Sequence, residues 1–394
     1  MALLFISSLV PDSKEYYNEA FTRSGNNVLI GIAKSFTPDR KATLWSFRPV
    51  PSYPKGSLWI PGEIVKLENG ETVKIFPTLN IKLIKNIFWN ILAVLYIIKW
   101  AFRHRHENRD ILVYNIYIPS ISSLYHVSRL TKSKLFTILY DLGVPPKRLG
   151  LSRLTILGYK IGEKNAKKYL PKVDGRIVIN ENIISHYAFG KDSILIDGGI
   201  NENVIAKLPK MEISQTSKYT FVLAGMLWDQ NGTRLILNTL KEHPDLDIRV
   251  VFAGRGKDVS LIEHAARKDR RIEYAGMLSM DELFKLYASA DVLLNLRIEE
   301  EVDFHFPSKL LEYMATGCHV ISTPVAHAER DYGEYITILK EISVDGLYNA
   351  ILKVVNTDKE SLYEHGIKTR DFMLTNRNWF VQTKKIENYI QSKH

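Results

Sequence analysis

One cysteine, Cys318, stands in 394 residues. An intramolecular disulfide is therefore excluded, and the composition fits a reducing compartment such as the cytoplasm. No stretch approaches 18 uninterrupted apolar residues, so a transmembrane span is not expected. The opening run MALLFISSLVPD has no basic leader and reads as a first β-strand, not a signal peptide. No RNA- or DNA-binding motif is visible, which argues against nucleic acid as a partner. The formal charge of +10 then leaves an anionic membrane surface or phosphorylated substrates as its explanations. No carboxylate pair is convincingly placed for a metal. Asp303 with Glu299–Glu301 reads as a solvated acidic loop in preference to a metal cluster. Cys318 has no obvious base beside it and reads as structural.

What is present is an ordinary globular balance, 45% hydrophobic and 24% charged, which excludes general disorder and is long enough for two domains. Strand and helix patterns alternate throughout. In the first half, strands are expected at Leu3–Ser7, Ile111–Tyr117, Lys134–Tyr140, Arg176–Ile179 and Ser193–Ile196. A turn over Thr22–Asn27 leads into a helix from Val28 to Lys34. Residues 41–80, rich in proline and glycine, carry β-like pieces without a clear assignment. After a polar linker over Asp197–Lys218, further β/α units follow. Strands fall at Tyr219–Ala224, Ile248–Ala253, Ile272–Tyr274 and Val292–Leu296. Repeated β-then-α units imply parallel sheets covered on both faces. The expected fold class is α/β, with two doubly wound domains facing across a cleft that takes ligands at the carboxyl ends of its strands. The domains are expected at 1–200 and 201–375, with a terminal helix at 376–394 crossing back to the first.

The stretch Phe304–Thr323, FHFPSKLLEYMATGCHVIST, reads as loop, helix, turn and strand. Leu310, Leu311, Met314 and Ala315 form an apolar stripe at helical spacing, and Gly317 ends the helix. The free N–H groups and dipole of the helix start favour an anion. Ser308 adds a hydroxyl donor and Lys309 a positive charge, and Glu312 lies one turn further on the same face. Such a set suits a nucleotide, with the diphosphate on the helix tip and the ribose on the carboxylate. A capped core helix with a solvated Lys–Glu pair is the alternative.

Residues 81–106, IKLIKNIFWNILAVLYIIKWAFRHRH, form a second distinctive stretch. An apolar core with Trp89, Tyr96 and Trp100 is flanked by Lys82, Lys85, Lys99, Arg103 and Arg105. This composition suits a helix lying in a membrane interface, or a buried inter-layer helix with a charged end.

Five pieces in order then resemble the retaining family 4 glycosyltransferases of GT-B fold (glycosyl transferases group 1). They are Arg176–Glu181 with Ile196–Asn201, Phe221–Leu227, Val250–Gly256, Ile272–Leu278 with Leu283, Tyr287, Ala290 and Asp291, and Phe306–Val320. The resemblance implies two Rossmann-like domains, the first binding acceptor and the second binding a nucleotide sugar, UDP- or GDP-linked. It implies transfer with retention to a glycan or lipid-linked glycan, in surface polysaccharide or glycoconjugate synthesis, on the cytoplasmic side and peripheral to the membrane. It assigns Glu312 to the donor ribose, Ser308 and Lys309 to the diphosphate, and Met277–Leu278 to the base. Gly225 follows the first strand of the second domain at the edge of the same cleft. Gly25 would approach the diphosphate or acceptor, and Asp141 the transferred sugar. No cofactor and no metal are implied. Three positions depart from the pattern. Phe304 replaces the first acidic residue, so Asp303 or Glu299–Glu301 would supply the sugar-facing carboxylate. Met226 and Asn231 replace an Arg and a Lys, so Arg297 or Arg234 would supply the phosphate charge. Tyr140 replaces a histidine. These departures keep open a non-catalytic relative, and a nucleotide-sugar epimerase is a further alternative.

Overall fold

The computed structural model of the protein describes all residues except 19–20, 22, 38–41, 69, 117–118, 141–152, 190–191, 202–207, 209–212, 214–216 and 299–307. The chain divides into two compact units, Met1–Gly199 with Trp379–His394, and Ile200–Asn378.

In chain order the first unit contains β1 (Ala2–Ser7), α1 (Arg23–Lys34), β2 (Ala42–Ser46), β3 (Trp59–Ile60), β4 (Glu63–Lys66), β5 (Thr72–Ile75), β6 (Thr78–Leu79) and α2 (Ile84–Arg103). There follow β7 (Arg109–Tyr114), α3 (Ile121–Leu130), β8 (Lys134–Leu139), α4 (Arg153–Tyr169), β9 (Gly175–Val178), α5 (Glu181–Tyr187) and β10 (Ser193–Leu195). Eight strands form one sheet in the order β10-β9-β8-β7-β1-β2-β5-β4, parallel except for β4. β3 and β6 make a separate antiparallel ribbon. The central strand β1, ALLFIS, is buried along its whole length, as expected of a parallel strand covered on both faces. Chain order reverses between β2 and β7 on either side of β1. Right-handed crossovers therefore put α2, α3 and α4 on one face, where they pack side by side, and α1 on the other.

The second unit contains β11 (Tyr219–Met226), α6 (Thr233–Glu242), β12 (Ile248–Arg255), α7 (Val259–Ala266), β13 (Ile272–Gly276), α8 (Met280–Ala288) and β14 (Val292–Asn295). It continues with α9 (Ser308–Thr316), β15 (His319–Ser322), α10 (Ala328–Tyr332), β16 (Thr337–Ile338), α11 (Val344–Val355) and α12 (Lys359–Asn376). Its six strands run β13-β12-β11-β14-β15-β16, all parallel. Phe221, Val250, Phe252, Val292 and Ile321 are buried at the centre of its core.

The last helix, α13 (Trp379–Gln391), belongs to the first unit and packs on α1. Gly31 and Gly199 make room for it, because a Cβ at either would overlap the Trp379 ring. The buried Glu387 then accepts from Thr37 N at 3.1 Å and Thr37 Oγ1 at 3.0 Å.

Two expectations change. The turn expected over Thr22–Asn27 is helical from Arg23, with Thr22 itself outside the described residues. Gly25 and Asn26 are poor helix formers, but the buried Asn26 side chain donates to Val10 O (2.8 Å) and accepts from Val10 N (3.1 Å). That tie fixes the first turn against the loop after β1. Among the described residues of the unassigned region 41–80, β2 and β5 extend the main sheet and β4 closes its edge. Cys318 is buried, its Sγ donates to Tyr287 O at 3.0 Å, and burial pushes its thiol up to about 12. That chemistry is structural, not nucleophilic.

His319 is also buried, with Nε2 beside Thr337 Oγ1 at 2.9 Å. Burial first, then the neighbouring His365, holds its pKa down at about 4 from an ordinary 6.5. Below 6.5 the unfolded chain takes up a proton that the folded chain refuses, so stability falls as pH drops from 6.5 towards 4. The shift corresponds to about 3 kcal/mol at most. Thermal midpoints measured across this range should fall with acid. The decline should be shallower in His319→Asn, and an unchanged profile would remove His319 from the acid response.

Candidate functional site

In the second unit the chain steps from β11 to β12 to β13 in one direction, then returns to place β14 on the other side of β11. The carboxyl ends of β11 and β14 flank this reversal, the position where open parallel sheets leave a crevice for ligands. The described candidate residues of this unit lie at the carboxyl ends of these strands and of β13, and in the first turn of α9.

β11 ends in Ala224-Gly225-Met226 and its neighbour β12 in Ala253-Gly254-Arg255, paired residue for residue. Gly225 has φ +115° and Gly254 φ +130°, a region that favours glycine. Each also lacks space for a side chain. A Cβ on Gly254 would overlap the carbonyl of Gly225, and a Cβ on Gly225 would overlap the ammonium of Lys309. That ammonium, from the first turn of α9, donates to Ala224 O. Tyr313, one turn later and fully buried, places its hydroxyl 3.4 Å from the same carbonyl and meets the Tyr287 ring edge-on at 5.2 Å. Buried Leu310, Leu311, Met314 and Ala315 seat the helix on the core as the apolar stripe predicts. The position of Lys309 is thus set by Ala224 O, by the bare Gly225 and by the seating of α9 on the core.

The electrostatics are unbalanced. Burial lowers the pKa of Lys309, and Arg297 lowers it further, while Glu312 works in the opposite direction. Burial raises the pKa of Glu312, and Lys309 pulls it back. Two cations and one carboxylate thus share a partly desolvated edge. An added anion would favour the charged form of Lys309 and screen it from Arg297. Arg297 is exposed just beyond β14, and its backbone N donates to Thr323 Oγ1 at 2.9 Å.

Ser308 is exposed as the first residue of α9. Met277, 66% exposed, and the half-buried Leu278 follow β13, next to the capping box of Ser279 and Glu282 that opens α8. They supply an accessible apolar ledge on the strand-end side. Of the cations considered in place of Asn231, Arg234 is engaged by Asp258 at 3.3 Å. Asn231 itself donates to Met226 O at 2.6 Å. Arg297 is thereby the exposed cation that the site retains from that pair. Gly25 is in the other unit, half-buried in the first turn of α1. Asp141, Asp303, Phe304 and Glu299–Glu301 lie outside the described residues.

The sequence reading missed Tyr313 and Thr323. A hydroxyl-bearing ring four residues after Lys309, inside an otherwise aliphatic stripe, was the available signal for Tyr313. Thr323 offered none.

Residues 218–357 match the sequence model of the family described as Glycosyl transferases group 1. A comparison with curated proteins finds no match. Among solved structures, the chain is similar to Anabaena Alr3699/HepE in complex with UDP, at 14% identity and TM-score 0.64 over 100% of both chains. It is also similar to sucrose-phosphate synthase from Thermosynechococcus elongatus, at 13% identity and TM-score 0.66 over 100% of this chain and 99% of that one. The lipopolysaccharide outer core galactosyltransferase WaaB, in its apo form, matches at 14% identity and TM-score 0.64 over 100% of both. Residues 218–357, most of the second unit, are thus similar to the glycosyl transferases group 1 family, and the fold of the chain is that of the GT-B glycosyltransferases.

Proposed function

We propose that the protein transfers a sugar from a nucleotide-sugar donor to a glycan or lipid-linked glycan, with retention of anomeric configuration and without a metal ion. The setting we infer is surface polysaccharide or glycoconjugate assembly on the cytoplasmic side of a membrane. The observation that carries the reading is the arrangement of Lys309, Arg297 and Glu312 around the Gly225 gap at the strand-order reversal. The UDP held by Alr3699/HepE supports a uridine donor ahead of a guanosine one.

In this reading Glu312 accepts from the ribose hydroxyls. Ser308, Lys309 and the free N–H groups of α9 hold the diphosphate, with Arg297 completing the charge. Met277 and Leu278 meet the base, and the absent side chain at Gly225 leaves room for the Lys309 ammonium beside the strand end. As the glycosidic bond breaks, the electron pair leaves on the diphosphate. Cations and N–H dipoles fixed beforehand stabilise that charge more than they stabilise the intact donor, which is the source of the acceleration. The acceptor hydroxyl loses its proton to the phosphate side, so no separate protein nucleophile is needed. Asp303 and Asp141 are proposed to face the transferred sugar.

A second reading is a glycosyltransferase-like partner protein without turnover. It is favoured by Met226 and Asn231, a loop in which Asn231 bonds backbone and carries no charge to a phosphate.

Calorimetry with UDP and GDP, with and without magnesium, separates the two readings. Micromolar binding that is indifferent to magnesium and lost in Glu312→Ala is expected. A folded protein that binds neither nucleotide would favour the partner reading. Lys309→Ala and Glu312→Ala should each slow transfer by about 10²-fold or more, the scale of one transition-state charge contact. Near-native turnover in both would displace the donor site from α9. Gly225→Ala should weaken nucleoside diphosphate binding by roughly tenfold or more, since it displaces a charged hydrogen-bond donor. Transfer should survive a chelator, and loss of activity on chelation would end the metal-free mechanism.

A further inference from the structure

The helix α2 is 20 residues long and contains no Asp or Glu. Its inner face is committed to the first unit. Trp89, Ala93, Ile97 and Trp100 are buried against the sheet. Trp89 Nε1 donates to Thr78 Oγ1 at 3.1 Å, and Asn90 Oδ1 accepts from Ser120 N at 2.9 Å. The outer face is different. Ile84, Ile87, Ile91, Leu95, Ile98 and Phe102 recur every three or four residues in one straight stripe, each 40–68% exposed. At 1.5 Å per residue this stripe runs about 27 Å.

The stripe does not end at the helix. Trp59 of the β3–β6 ribbon is 52% exposed and meets Phe88 of α2 edge-on at 6.0 Å. Two helices away in the same layer, beyond α3, the α4 helix exposes Leu157 and Ile161 beside Lys160 and Lys164. An exposed apolar stripe of this length is uncommon on a protein that has nothing to place against it.

Charge identifies what covers it. Lys82 precedes the stripe, Lys99 and Arg103 flank its second half, and Arg105 follows; all four are exposed. Lys85 is not part of this set, because its ammonium is held by Val50 O at 2.8 Å. Aliphatic side chains edged by Lys and Arg, with an aromatic at one border, match the boundary between acyl chains and anionic headgroups. A second copy of this chain would bring the same cations against themselves, a repulsive pairing. By length and composition α2 would also be able to cross a bilayer. Its buried inner face and the bonds of Trp89 and Asn90 hold it lengthwise on the sheet instead.

We propose that the outer face of α2, continued by Trp59, docks the first unit on an anionic phospholipid bilayer, with the helix lying in the interface plane. The proposal deepens the lipid-linked acceptor reading, since such an acceptor is presented at that plane. Docking does not require donor or acceptor. It can therefore fail while the transferase reading stands, and the reverse also holds.

The experiment is flotation of the full chain with vesicles of equal phosphatidylcholine and phosphatidylglycerol, and with phosphatidylcholine alone. Binding to the anionic vesicles is expected, weakened by added salt. Ile91→Glu with Leu95→Glu should reduce it by roughly tenfold or more, and Lys99→Glu with Arg103→Glu should do the same, each basic residue contributing several-fold near an anionic surface. Circular dichroism and thermal midpoints confirm that both variants fold, which their exposed positions favour. Absence of binding, or binding by both variants equal to that of the natural chain, overturns the proposal. So does a dimer in light scattering that the apolar variant dissociates without any effect on vesicle binding. Resistance of the bound protein to alkaline carbonate would overturn the lying geometry in favour of a span.

Discussion

Residue 225 has no side chain, and the ammonium of Lys309 occupies the place where one would begin. The arrangement of the candidate site follows from that vacancy. The first turn of α9 approaches the end of β11 closely enough for Lys309 to reach Ala224 O, and Tyr313 reaches the same carbonyl from the next turn. Gly254 extends the constraint to the neighbouring strand, where any side chain would strike the Gly225 carbonyl. A helix start, two strand ends and a cation are thereby fixed relative to one another before any ligand arrives. Preorganisation of this kind distinguishes a charge that stabilises a leaving group from one that merely neutralises it.

Much of this was legible in the sequence because the signals were local and repeated. The strand-helix alternation is periodic, and the FPSKLLEYMATG stretch combines a helix start, an apolar stripe and a C-terminal glycine within a few residues. What escaped was set by distant contacts. The first turn of α1 reads as a turn from Gly25 and Asn26, yet Asn26 is buried against Val10, sixteen residues earlier. No local pattern announces that pairing. The β4–β5 hairpin and the β3–β6 ribbon are short, and they exist through their partners more than through propensity. Gly31 looks unremarkable in α1 until Trp379, almost 350 positions later, is found lying across it.

The electrostatic reading was partly legible as well. Lys309 and Glu312 stand three residues apart on a helix and invite description as a surface ion pair. Desolvation alters that description. It disfavours both charges, with Arg297 adding to the effect on Lys309. The pair is better described as a site held short of one negative charge. On the first unit the same composition yields two faces of different meaning. Aromatic residues of α2 such as Trp89 and Trp100 turn inward, whereas its outer aliphatics face solvent between cations.

The burial of Cys318 has a practical side. With its thiol pushed up to about 12 and hydrogen-bonded inside the core, the thiolate population near neutral pH is on the order of 10⁻⁵. The natural chain is therefore almost silent towards maleimides and methanethiosulfonates. A cysteine introduced anywhere on the surface would stand alone in its reactivity, so a fluorophore or nitroxide could be placed at a chosen residue without first removing the native one.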